Sequence, residues 1–120
     1  MTAKQLYAQG DMLLERVDDI DTAKVTARPV AADADGAVVI GRGEVTGHRH
    51  AFHGGVDMFR ADALAADMPA ELYVGHVTVT GDGADLVHEE HGTIRLPKGT
   101  WRVRRQREFD PRIKARVVAD

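Results

Sequence analysis

With 120 residues, the chain has room for one domain and one modest core, burying roughly two thirds of its unfolded surface. It contains no cysteine and no serine, which excludes disulfides, thiolate metal sites, a cysteine nucleophile and a Ser-His-Asp hydrolase. The net charge of −3 argues against a dedicated nucleic-acid binder, but residues 1–94 carry seven Lys/Arg against sixteen Asp/Glu, while residues 95–120 carry nine against three.

The chain opens on Gln5 to Asp11, with Gly10-Asp11 read as a turn, and Met12 to Val17 then suits a strand. Asp18, Asp19 and Asp21 mark a polar loop. Val25 to Val30 is a second candidate strand, followed by the acidic loop Asp33 to Gly36. Ala37 to Ile40 is a short β-branched run expected to be buried, and Gly41 and Gly43 lead into the segment Gly47-His48-Arg49-His50. Val56 to Phe59 fits another strand, and Ala61 to Asp67 one helical turn or a loop before Pro69. Leu72 to Thr80 alternates clearly, with Tyr73, Gly75, Val77 and Val79 on one face and Val74, His76 and Thr78 on the other. Gly81-Asp82-Gly83 then makes a tight turn, with Ala84 to His88 expected as its hairpin partner. Leu96-Pro97-Lys98-Gly99 reads as a corner between two strands. Thr100 to Phe109 alternates with Trp101, Val103, Arg105, Arg107 and Phe109 on one face.

These segments amount to about seven to nine short strands, with no long amphipathic helix. An all-β fold is expected: a single small β-barrel or β-sandwich of jelly-roll type spanning residues 1–120, with a short basic tail from about residue 110. The low aromatic content of 5% agrees with a thin core. No apolar run approaches the ~18–20 residues of a membrane span, so no membrane contact is expected and a cytoplasmic location is the simplest expectation.

Chemistry concentrates in two histidine pairs, His48/His50 and His88/His91. In an extended segment, positions i and i+2 share a face, so His48 and His50 can chelate one ion. His88 and His91 converge only if Glu89-Glu90 makes a turn, for which Gly92 is suited. These four are the candidate ligands for zinc or another first-row divalent metal. Glu44, Glu89 and Glu90 are supporting groups, and His53 and His76 are reserve ligands. The alternative is a hydrogen-bonded polar network that pins two loops without metal. Arg102, Arg104, Arg105 and Arg107 crowd the last strand. An arginine on its core-facing side, Arg105 or Arg107, needs an acid partner, with Glu44, Glu89 and Glu90 as candidates. The bland reading of this strand is a salt-bridge network, and the sharper one an anion or phosphate site. No pattern for sequence-specific nucleic-acid reading is present.

Two resemblances follow from these motifs. Gly43-Glu44-Val45-Thr46-Gly47-His48-Arg49-His50, with the later Pro97-Lys98-Gly99 turn, is loosely similar to the cupins. The glutamate that cupins carry after the second histidine is missing from Ala51 to Val56, and no histidine follows Gly99, so only the barrel-like architecture carries over. A broader likeness runs through Gln9-Gly10-Asp11, Gly43 to His48, His88 to His91, Leu96 to Thr100 and Val103 to Pro111. It resembles a group of small uncharacterised proteins of bacteria, phages and prophages. That setting implies a virion location and a capsid- or tail-decorating role as one option, and no catalytic residues.

The function expected from the sequence is a non-enzymatic binding or assembly module, with a protein partner or a second copy of itself, whose histidine/glutamate cluster can hold a metal. The alternative is a small cupin-like metalloenzyme with a His-lined metal site.

Overall fold

The computed structural model describes residues 5–17, 20, 25–42 and 48–106. Among them ten strands run in chain order: β1 (Leu6–Gln9), β2 (Met12–Arg16), β3 (Arg28–Val30), β4 (Val38–Arg42), β5 (Arg49–Phe52), β6 (Val56–Arg60), β7 (Tyr73–Val79), β8 (Ala84–Val87), β9 (Ile94–Leu96) and β10 (Gly99–Arg105). Two short 3-10 turns, Asp62–Ala65 and Ala70–Leu72, lie between β6 and β7. The strands form two antiparallel sheets, ordered β1-β2-β10-β7-β6-β3 and β4-β5-β8-β9. They do not close into a barrel; the architecture is the sandwich of the two alternatives expected.

Alternation dictates which side chains fill the space between the sheets. Met12 and Leu14 of β2, Met58 of β6, Val77 and Val79 of β7, and Trp101 and Val103 of β10 meet Val38, Ile40, Phe52, Ala84, Leu86 and Leu96 from the smaller sheet. Trp101 is fully buried, and its indole N–H donates to Pro97 O at 3.0 Å, which pins the corner between β9 and β10.

Several expectations are corrected by the pairing. Ala84 to His88 is not the hairpin partner of the preceding strand: β7 pairs with β6 and β10, and β8 pairs with β5 and β9. The Gly81-Asp82-Gly83 turn therefore carries the chain from one sheet to the other. The opening segment contributes a strand of its own, β1, paired with β2 around the Gly10-Asp11 turn. The strand expected over Val25 to Val30 shortens to Arg28–Val30. The basic tail and the far end of the last expected strand lie outside the described residues.

The outer face of the larger sheet is also covered. Glu15, Arg102, His76 and Phe59 stand in one cross-strand row over β2, β10, β7 and β6, and residues 61–72 fold over it. Tyr73 Oη accepts the Ala61 N–H at 2.9 Å and lies 2.7 Å from His76 Nδ1. Tyr73 Oη and His76 Nδ1 thus share one hydrogen bond, while His76 Nε2 is buried with no hydrogen-bond partner among the described residues. The ring stacks on Phe59 at 5.2 Å. His76 is fully buried, and desolvation, reinforced by the Arg102 charge, pushes its pKa down to about 4.

That depression has a sign. The unfolded chain takes up this proton near pH 6.5, the folded chain only near 4, so stability is highest above about 6.5 and falls as the pH drops toward 4. The loss amounts to about 3 kcal/mol. Urea midpoints measured from pH 7.5 to 4.5 are expected to fall less steeply in a His76→Gln variant than in the wild type. Parallel curves would reject the assignment.

Candidate metal centre

The four paired histidines meet at one open end of the sandwich. β5 carries His50, with His48 two positions before it, and the loop from β8 to β9 carries His88 and His91. The β1–β2 turn of the other sheet closes the site from below. Asp11, Met12, Arg42, His48, His50, His88, Glu90, His91 and Arg105 line a pocket of about 210 Å³. Ring centroids of His50 and His88, and of His88 and His91, are 4.4 Å apart; those of His48 and His88 are 5.5 Å apart. His50 and His91 lie nearly parallel at 6.0 Å.

This approach depends on two glycines. Gly10 adopts φ +58°, the left-handed region that glycine tolerates best. A Cβ there would fall 2.8 Å from His91 Nε2 and 3.2 Å from His50 Cε1, so a side chain would push the rings aside. Gly41 stands opposite His50 in the β4–β5 register, where a Cβ would collide with Met12.

The second-row contacts decide what each ring can do. Gln9 crosses between the sheets: its Nε2 donates to Leu86 O and to Gly92 O, both at 2.9 Å. Two carbonyl acceptors orient the amide, leaving Gln9 Oε1 as the partner of His50 Nδ1 at 2.9 Å. That nitrogen must therefore carry a hydrogen, and the lone pair or second proton of His50 sits on Nε2. His50 Nε2 faces Asp11 Oδ1 at 3.6 Å, and the ring holds the Asp11 carboxyl below its ordinary range. An acceptor on the far nitrogen fixes the tautomer and orientation of a buried imidazole, as it does for histidines that ligate metals.

His88 is presented differently. Its Nδ1 accepts the backbone N–H groups of Glu90 at 3.0 Å and His91 at 3.1 Å, so its hydrogen is on Nε2. Desolvation, followed by the neighbouring His50 and His91, lowers its pKa and favours this neutral form. Among the described residues, the donor set whose candidate atoms lie within 4.8 Å of one another is His48, His88 and Glu89. His88 joins it only by releasing the turn it stabilises. Glu89 Oε1 accepts the Arg49 N–H at 2.9 Å, which lowers its pKa and ties the two histidine segments together. His48 Nδ1 lies 3.7 Å from Glu90 Oε1.

Of the residues expected at the site, His48, His50, His88, His91, Glu90 and Arg105 line the pocket and Glu89 borders it. Glu44 and Arg107 lie outside the described residues. His53 is exposed and His76 is buried among Phe59, Tyr73 and Arg102 on the far side of the larger sheet; neither lines the pocket. The buried acid-paired arginine of the last strand is Arg102, whose partners are Glu15 and Asp67, not Arg105 with the pocket glutamates. Sequence reasoning missed Asp11 and Arg42 as pocket groups and Gln9 as the group that orients His50. Gln9-Gly10-Asp11 was visible as a motif, but its link to His50 spans 41 residues and its link to Gly92 spans 83.

A family model described as a Domain of unknown function (DUF8820) matches residues 8–106, from β1 to the end of β10, with all four pocket histidines inside. No curated protein and no solved structure matches the chain.

Proposed function

The chain belongs to the DUF8820 family, and from that premise we propose that this domain is a binding module that captures one divalent first-row metal, zinc being the simplest, in the histidine pocket. The observation that carries this is the Gln9-oriented ring of His50, whose Nε2 lies 3.6 Å from the Asp11 carboxylate, with the ring of His91 stacked parallel to it at 6.0 Å. His50, His91 and Asp11 are the proposed ligands, and His48 is the fourth. His88 holds the β8–β9 loop in shape. The donor set is nitrogen and oxygen only, which suits zinc, nickel or cobalt better than thiophilic copper(I). Zinc loading of tag-free protein, followed by dialysis and elemental analysis, is expected to leave one zinc per chain. His50→Ala and His91→Ala should each weaken binding by about 100-fold or more, while His53→Ala should leave it unchanged. Absence of stoichiometric metal in the wild type would defeat the proposal.

A further inference from the structure

Two arginines reach the pocket without being needed to hold a cation there: Arg42 and Arg105. Arg42 is neutralised by an ion pair with Asp33. Arg105 is opposite Met12 in the β10–β2 register, so it shares the sheet's inner face, but at the last position of the strand, where the sandwich opens. It is exposed, and among the described residues it makes no ion pair, although its charge helps to lower the Asp11 pKa.

With neutral imidazoles, the lining groups Asp11, Glu90 and Arg105 and the bordering Glu89 leave two net negative charges, which attract a cation. A bound divalent ion cancels them and with them the repulsion that an anion would meet. His50, His91 and Asp11 alone, two histidines and one carboxylate, leave open positions on a first-row ion, so an oxyanion can take the place of His48 or join it, and the Arg105 guanidinium that lines the same pocket is shaped for its paired oxygens. We infer that the metal-loaded pocket takes a small oxyanion, a carboxylate or inorganic phosphate, shared between the metal and Arg105. This rests on the metal-binding reading above.

Cobalt(II) makes both steps visible. Wild-type protein titrated with Co(II) is expected to develop visible absorption bands saturating at one ion per chain. Acetate or inorganic phosphate should then shift those bands to a saturable end point. A response to acetate alone assigns the site to carboxylates, and a response to phosphate alone to phosphate. Arg105→Gln should bind Co(II) as the wild type does, yet require about tenfold or more anion for the same shift. Arg105→Lys, which keeps the charge without the paired donors, should fall between them. Bound Co(II) whose spectrum ignores both anions, or an Arg105→Gln variant that titrates like the wild type, overturns the anion inference alone. No Co(II) uptake overturns it together with the metal reading.

Discussion

Replacement of Arg102 by alanine is expected to destabilise the domain by about 3–5 kcal/mol, the largest single effect on stability outside the hydrophobic core. Its guanidinium lies on the covered outer face of the larger sheet, with the side chain only 10% exposed. Nε donates to Glu15 Oε1 at 3.1 Å, Nη1 to Asp67 Oδ1 at 2.7 Å and to Leu64 O at 3.1 Å, and Nη2 to Asp67 Oδ2 at 3.1 Å. Burial opposes the charge, but Asp67 and Glu15 outweigh it and the pKa rises. Removing the cation takes from Glu15, itself 12% exposed, the partner that it meets at 3.0 Å, while Arg104 stays at 3.4 Å. It also removes the bonds from Arg102 to Leu64 O and Asp67 that help to hold residues 61–72 on the sheet. Asp67→Ala should cost far less, about 1 kcal/mol, because that carboxylate is 65% exposed and partly hydrated. Replacing both partners at once, Glu15→Leu with Arg102→Met, should recover part of the loss, since the Glu15–Arg102 pair is then removed whole, although Arg104 gives up its contact with Glu15. Urea unfolding of the four proteins decides the matter. An Arg102→Ala variant within about 1 kcal/mol of the wild type would show that the row is not the clamp inferred from its geometry.

Gln9→Leu is expected to have the largest effect on the pocket from a residue that is not a ligand. It removes the acceptor that fixes His50 Nδ1–H, so the ring loses its preferred tautomer and orientation, and zinc affinity should drop about 10- to 100-fold. It also strips the donors from Leu86 O and Gly92 O, which should cost about 1–3 kcal/mol of stability. Gln9→Glu separates the two effects. A carboxylate still accepts from His50 but cannot donate to either carbonyl, so stability should fall while zinc binding is largely kept. Competition against a chromophoric chelator measures the affinities. A Gln9→Leu variant with wild-type zinc affinity would mean that the orientation of His50 does not matter for binding.

Much of the fold was legible because strand signals are local. The alternation of Leu72 to Thr80 marked the strand that became β7, with Val77 and Val79 in the core between the sheets, and His48 and His50, two positions apart, line one pocket. Pairing was less legible. Gly81-Asp82-Gly83 has the composition of a hairpin turn whether the next strand returns beside β7 or crosses to the other sheet. The four-residue β1 carries too little periodicity to declare itself, and only its register against β2 defines it.

The last strand separates the two kinds of information most clearly. Its residues alone determined that Arg105 shares a face with Trp101 and Val103 while Arg102 and Arg104 take the other, because a strand's side chains alternate whatever surrounds it. They could not determine which arginine is buried. That depended on residues 61–72 covering the outer face, and on the inner face opening to solvent at Arg105, both consequences of contacts between distant segments. The same division holds for the pocket: the composition of the two histidine segments was written in the chain, whereas the carboxylate that faces His50 and the amide that orients it came from the first strand pair, brought there only by the packing of one sheet on the other.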